Sequence, residues 1–319
     1  MDHRVAILDD YQSIALDCAD WGTLPDGVAI ETFSEHLGDE ANVAAALAGF
    51  DIVVAMRERT PFPASLLTKL PDLKLLITTG MRNLAIDNDA ARQGGITICG
   101  TAMHGHAAAE HAWALILALT KRIALEDRTM KSGGWQAAMV DGLKGNTLGV
   151  VGLGRLGAQV ATVGNAFGMR VIAWSANLTD ERAAECGAER VDKETLFRDA
   201  DVITVHMVLS DRTRGLIGSQ EFAQMKPTAF LVNTSRGPIV DEAALIDALT
   251  DNAIAGAGID VFDIEPLPVD HPLRGFDNAL LTGHTGYVMR ENYTTAYGDA
   301  VENISAWLGG NPVRVLNEG

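Results

Sequence analysis

Cysteine is scarce in this chain. Cys18, Cys99 and Cys186 stand far apart in 319 residues, with no Cys-x-x-Cys pair. That spacing supports neither a disulfide framework nor a zinc site, so no metal is expected, and the reducing cytoplasm is the expected compartment. Positive charge is scarce as well: 25 Lys and Arg stand against 42 Asp and Glu, a formal net charge of −17 and a sequence pI near 4.8. An acid excess of this size repels phosphodiester backbones and anionic headgroups, which argues against nucleic acid or membrane partners. An anionic substrate would need a local island of Arg or His. Long apolar runs are missing too. The longest, Ala107 to Leu119, is interrupted by Glu110 and His111 and is too short to span a bilayer. The opening residues, MDHRVAILDD, enter a short apolar strand without the pattern of a secretory leader. There is no short-period repeat, low-complexity segment or charge block.

What is present is an ordinary globular composition, 47% apolar and 21% charged, in a chain long enough for two domains that each bury a core. Up to about residue 100, β-rich runs (Val5–Leu8, Val28–Phe33, Asp51–Ala55, Lys74–Thr78, Ile96–Cys99) alternate with helical patterns (Ser13–Trp21, Asn42–Ala48, Ala64–Leu70, Ile86–Gln93). Such alternation predicts a parallel sheet covered on both faces. One long helix is expected from His106 to about Met130, apolar on more than one face. Trp135 to Lys144 reads as an irregular connection. The strand and helix alternation then resumes to about residue 282, and a last helix is expected over Arg290–Leu308.

The strongest local signal is TLGVVGLGRLGAQVA, residues 147–161. An apolar strand breaks into Gly152-Leu153-Gly154-Arg155-Leu156-Gly157 and continues as a helix, the context that a dinucleotide fingerprint requires. Gly152 permits the turn, Gly154 lets the backbone approach a pyrophosphate, and Gly157 lets helix pack on strand. The helix N-terminus supplies N–H groups and a positive dipole end. The mid-chain position of this motif means that another domain precedes it.

Three islands follow, each at the carboxyl end of a predicted strand, where open parallel sheets hold their ligands. LVNTSRGPIVD delivers Arg236, whose planar guanidinium suits a bidentate grip on a carboxylate. GIDVFDIEP carries several acids, among them Asp260 and Glu265, and LTGHTGY sets His284 among small residues. Singly, these read as a surface arginine, loop acids and a satisfied histidine. Together they offer an anion clamp, a carboxylate and an imidazole around one cleft.

With these islands in hand, the chain resembles the D-isomer-specific 2-hydroxyacid dehydrogenases, the group that includes glyoxylate/hydroxypyruvate reductases and the phosphoglycerate and formate dehydrogenases. The likeness runs through nearly the whole chain in order: VVAMRERTPFP, LKLLITTG, GNTLGVVGLGRLG, MKPTAFLVNTSRGPIVDE, GAGIDVFDIEPLP and TGHTGY. The resemblance implies an α/β protein of two Rossmann-like domains. A split, flavodoxin-like substrate domain (1–100 plus 290–319) would surround an inserted dinucleotide-binding domain with a parallel sheet (101–289). It implies Arg236, Glu265 and His284 as the catalytic residues. Arg236 would hold the carboxylate and 2-oxo oxygen, His284 would exchange the proton, and Glu265 would orient the imidazole. It places Asp260 by the nicotinamide carboxamide and assigns His206 and Thr234 to the cofactor as well. The backbone of Thr79, Gly80 and Met81 would line the substrate carboxylate. The long helix from His106 and its irregular extension resemble the family dimer arm, so a homodimer is expected.

Where the chain departs from the family, it bears on specificity. NAD-preferring relatives carry an acid at the end of the second nucleotide-domain strand; here Ser175 stands there, with Asn177 and Arg182 following. Without that anion a 2′-phosphate is not repelled, which tips the expectation to NADP(H) over NAD(H). After Gly80 the chain has Met81-Arg82-Asn83-Leu84. Arg82, with Arg57, could form the positive island for a second anionic group, or could instead pair with Asp87. Gly283 replaces the proline usual before the catalytic His, which loosens the loop backbone. The expected function is reduction of a 2-oxo acid such as glyoxylate or hydroxypyruvate to a D-2-hydroxy acid. The alternatives are a nucleotide-sensing binding protein of the C-terminal-binding-protein corepressor type, or a dehydrogenase of a very small anion such as formate or phosphite.

Overall fold

The computed structural model describes residues 3–318; residues 1, 2 and 319 of the expected split domain lie outside the described residues. The chain divides into two compact units, Met1–His104 with Val288–Gly319, and Gly105–Tyr287. In the first, strands β1 (His3–Ile7), β2 (Val28–Thr32), β3 (Ile52–Ala55), β4 (Leu75–Thr78) and β5 (Thr97–Gly100) alternate with helices α1 (Glu40–Ala46), α2 (Ala64–Leu67) and α3 (Asn88–Gln93). All neighbours pair parallel in the order β2-β1-β3-β4-β5. The inner strands IVVA and LLIT are buried at every residue, as both-face coverage requires. The helix expected over Ser13–Trp21 is two short 3₁₀ turns instead, Ala15–Asp17 and Trp21–Thr23. The Asp10 carboxylate accepts from the N–H groups of Ile14 and Ala15, a local turn that competes with helix propagation.

The second unit opens with α4 (Ala107–Thr120) and α5 (Ile123–Lys131). The single helix expected here breaks at Arg122, which has φ 52° and lays its guanidinium 5.8 Å from the Phe230 ring centroid. Then follow β6 (Thr147–Val151), α6 (Arg155–Ala166), β7 (Arg170–Trp174), α7 (Asp180–Glu185), β8 (Glu189–Arg190), α8 (Lys193–Asp199) and β9 (Val202–Val205). The unit ends with α9 (Ser219–Gln224), β10 (Phe230–Asn233), α10 (Glu242–Thr250), β11 (Gly256–Ile259) and β12 (Ala279–Leu281). The seven strands are parallel in the order β12-β11-β10-β9-β6-β7-β8. Strand order reverses between β6 and β9, so the crevice beyond their carboxyl ends is where this topology binds ligands.

Helix α11 (Arg290–Leu308) and the tail return to the first unit. The tail covers the β5 edge, with Gly100 N–H donating to Arg314 O and Leu316 N–H to Ile98 O. Buried Asn317 completes the seam: its Oδ1 accepts from Ile98 N at 3.0 Å and its Nδ2 donates to Ile96 O at 2.9 Å. Among the described residues, no helix is long and apolar enough to cross a membrane. Asn317→Ala leaves two buried backbone groups unpaired and should cost about 2–4 kcal/mol in urea denaturation. A loss below about 0.5 kcal/mol would show that the seam does not depend on this side chain.

Candidate active site

Three loops leave the carboxyl ends of the adjacent strands β10, β11 and β12. In the first, the Asn233 carboxamide accepts from Ser235 N and donates to Arg236 O, both at 3.0 Å, while Ser235 Oγ donates to Val205 O at 2.7 Å. This shapes a rigid turn that presents the half-buried Arg236, whose Nη1 donates to Ser235 O at 2.7 Å. Gly237 is packed against the backbone of Phe262, where a Cβ would collide, so the first loop lies directly on the second.

The second loop holds Glu265, whose Oε1 accepts from Phe262 N at 2.9 Å. Its other oxygen, Oε2, meets His284 Nδ1 of the third loop at 2.7 Å. A carboxylate only accepts, so Nδ1 carries the hydrogen of this bond. His284 adopts φ 54°, and its ring packs edge-on against Tyr287 with centroids 5.7 Å apart.

Asp260, which the resemblance sets beside the nicotinamide carboxamide, spends its carboxylate on this third loop. It accepts from Thr282 Oγ1 at 2.6 Å, Thr285 N at 2.7 Å and Gly286 N at 2.9 Å, and its side chain is fully buried. The loosening expected from Gly283 is therefore countered by a clamp on both sides of His284. Sequence reasoning missed His111, seen there only as an interruption of an apolar stretch. Its Nε2 lies 3.0 Å from Thr282 Oγ1. The one available signal was a polar ring on an otherwise buried helix.

The fingerprint turn fits a dinucleotide. Gly152 has φ 96°, and a side chain on Gly157 would collide with the Gly152 carbonyl, so both must be glycine. A Cβ on Gly154 would meet nothing within 4 Å, which leaves the turn open above the start of α6. Arg155 is exposed at the first position of that helix and Leu156 is half-buried behind it. Thr234 has a buried hydroxyl without a hydrogen-bond partner, an orphan that a bound cofactor would satisfy. His206, at the end of β9, bonds Thr204 Oγ1 through Nε2 at 2.9 Å, and burial of the ring pushes its pKa down to about 4. At the end of β7, Ser175 is half-buried and Asn177 exposed. The Arg182 guanidinium pairs with Glu185 at 3.1 Å along α7.

In the first unit, Arg57 and Arg82 belong to the loops after β3 and β4. Arg57 is held by its backbone, with N–H donating to Thr79 Oγ1 at 2.9 Å and its carbonyl accepting from Asn83 Nδ2 at 2.6 Å. The amides expected to line a carboxylate are partly committed. Thr79 N donates to Ala55 O and Gly80 N to Thr101 Oγ1, because these residues still belong to the sheet's hydrogen bonding. Arg82 is exposed, and Asp87 caps α3 by accepting from Ala90 N.

A cavity of about 740 Å³ bordered by Arg122, Lys144, Asp201 and Phe230 lies at the amino ends of β9 and β10, the wrong end of the sheet for the fingerprint. Among the described residues, no group of His, Cys, Asp and Glu could hold a metal ion.

Residues 113–286 match the family described as D-isomer specific 2-hydroxyacid dehydrogenase, NAD binding domain. The chain is 40% identical over 263 residues to a glyoxylate reductase of Aeropyrum pernix, covering 79% of this chain and 78% of that one. It is 38% identical over 265 residues to a D-3-phosphoglycerate dehydrogenase of Archaeoglobus fulgidus, covering 82% of this chain but only 50% of the relative. The chain thus spans about half the length of that dehydrogenase. Among solved structures, a phosphoglycerate oxidoreductase of Vibrio cholerae superposes with a TM-score of 0.91 at 33% identity, covering 97% and 99% of the two chains. The apo D-lactate dehydrogenase of Escherichia coli superposes at 0.83 and 27% identity, covering 98% and 99%.

His206 yields a pH signature. An unfolded chain protonates this ring below about pH 6.5, whereas the fold refuses the proton until about pH 4. Its contribution to stability is therefore complete above about pH 6.5 and is lost as the pH falls toward 4. Urea denaturation across that range should show a steeper acid decline for wild type than for His206→Gln; identical slopes would refute this.

Proposed function

The chain belongs to the D-isomer specific 2-hydroxyacid dehydrogenases, a family of NAD-dependent oxidoreductases, and from that premise we propose that it reduces a small 2-oxo acid of the glyoxylate or hydroxypyruvate type to the D-2-hydroxy acid. Arg236, Glu265 and His284 are the catalytic residues of this reading. The observation that carries it is the 2.7 Å bond between His284 Nδ1 and Glu265 Oε2, on loops beside that of Arg236. The glyoxylate reductase among the relatives supports the substrate class.

When bound, the dinucleotide supplies the hydride. Gly152, Gly154, Gly157 and the start of α6, with Arg155, Leu156, His206 and Thr234, would hold it. Arg236 grips the substrate carboxylate and the 2-oxo oxygen, which orients the carbonyl. His284 donates the Nε2 proton to that oxygen as it becomes an alkoxide, and in oxidation takes it back. Glu265 holds the ring by Nδ1 so that Nε2 faces the reacting oxygen. Arg57 and Arg82 favour a substrate bearing a second polar or anionic group, while the Met81 backbone lines the substrate carboxylate.

The cofactor of this proposal is NADP(H) in preference to NAD(H), because Ser175 and Asn177 replace the acid that would repel a 2′-phosphate. A homodimer is proposed through the segment 122–146, which exposes Ile123, Met130, Trp135 and Met139. Cytoplasmic location is part of the same reading.

The test is NAD(P)H consumption with a panel of 2-oxo acids, and silence across the panel would defeat the proposal. Arg236→Ala and His284→Ala should each lower kcat/KM by about 10²–10⁴-fold, with His284→Ala still binding cofactor in a fluorescence titration. Near-normal turnover in either would overturn the assignment. Ser175→Asp should shift the ratio of kcat/KM for NADPH over NADH toward NADH by about tenfold or more; an unchanged ratio would remove Ser175 from cofactor selection.

A further inference from the structure

Within the turn that carries His284, one backbone hydrogen bond runs from His284 N–H to Thr282 O at 3.0 Å. His284 itself lies in the left-handed region at φ 54°, a conformation that a residue with a side chain keeps only where its surroundings impose it. Gly283 before it has no atom within 4 Å of the place its Cβ would take, so packing does not brace the turn from that side. Asp260 braces the turn from within the fold. Its Oδ1 accepts from Thr282 Oγ1 at 2.6 Å and Thr285 N at 2.7 Å, and its Oδ2 from Gly286 N at 2.9 Å, so the donors bracket His284 in sequence.

Asp260 is in turn supported by α4. His111 Nε2 stands 3.0 Å from Thr282 Oγ1 and 3.2 Å from Asp260 Oδ1. The Thr282 hydroxyl gives its hydrogen to Asp260, and the carboxylate only accepts. His111 must therefore carry its hydrogen on Nε2 and donate to this pair. Burial opposes the charge on Asp260, yet the hydrogen bonds from His111 and Thr282 hold its carboxyl below the usual carboxylate range. Gly286 closes the assembly: a Cβ there would stand 3.0 Å from Asp260 Oδ2 and 3.6 Å from His111 Cδ2, so the turn rests on both side chains.

We propose that His111 is a positioning residue: through Asp260 and Thr282 it locks the 282–286 turn, and so holds His284 in the backbone conformation from which its ring meets Glu265. The consequence for turnover rests on the reading of His284 as the proton-transfer group. His111 touches no reacting atom in this scheme. Its removal slows proton transfer by letting the catalytic ring wander.

The experiment uses the full chain with its preferred dinucleotide and the best 2-oxo acid of the panel. His111→Leu removes the donor, while His111→Gln sets an amide N–H near the position of Nε2. Leu at this position should lower kcat by about 10- to 100-fold, the scale of a small misplacement of a catalytic group. KM and dinucleotide affinity should stay within about threefold, and the solvent deuterium isotope effect on kcat should rise. Gln should restore most of kcat. Thr282→Val, nearly isosteric, should reproduce the Leu phenotype and serves if the Leu variant does not fold.

A readout independent of turnover is the ring ¹H–¹⁵N correlation of His284, a single signal in wild type that should broaden or split in His111→Leu and Thr282→Val. An unchanged ring signal in both variants, or equal losses with Leu and Gln, overturns the proposal. A disturbed ring signal with unchanged kcat supports the clamp and instead removes His284 from the proton-transfer step, which keeps the two failures apart.

Discussion

The hydrogen bond between His284 Nδ1 and Glu265 Oε2 is the constraint on which the site depends. It joins the loops after β11 and β12, and it fixes the hydrogen on Nδ1 of the ring. The bond forms because β11 and β12 are parallel neighbours, so both chains emerge on the same edge of the sheet. It is kept because the Asp260 carboxylate, sunk beneath the turn, gathers donors from either side of His284. A buried carboxylate is expensive to desolvate, and here protein donors offset that cost and convert it into rigidity.

The same sheet edge carries the dinucleotide turn at the reversal of strand order between β6 and β9. A parallel sheet aligns all its carboxyl ends, so residues more than a hundred positions apart in sequence, such as Gly154 and Glu265, are delivered to one edge. Charge follows the same logic at a different scale. The chain as a whole is strongly acidic, and among its few arginines Arg236 is held by its own loop, while the Arg57 backbone is held by the Thr79 and Asn83 side chains.

Much of this was legible beforehand, and the errors are instructive. Strands with continuous apolar runs, such as IVVA and LLIT, and helices with clear periodicity, such as Arg290–Leu308, lie where their patterns put them, because burial on both faces leaves little alternative. The segment after Asp10 was misread as a helix because its composition permits one; an Asp side chain captured the first N–H groups instead. The long helix from residue 106 breaks at Arg122 in a left-handed conformation that no propensity announces. The sequence does not show that Arg182 pairs with Glu185, or that the Thr79 and Gly80 amides donate to Ala55 O and Thr101 Oγ1.

By itself the sequence determined the fold class, the dinucleotide turn and the kinds of side chain at each strand end, because periodicity, glycine spacing and loop chemistry are local properties. Only the tertiary structure decided which polar groups are already spent on the protein and which remain for a ligand. It turned Asp260 inward to the His284 loop, brought His111 from a helix more than 140 residues earlier against that loop, and left the Thr234 hydroxyl buried without a partner. Hydrogen-bond satisfaction is a property of three-dimensional neighbours, and no spacing along the chain encodes it.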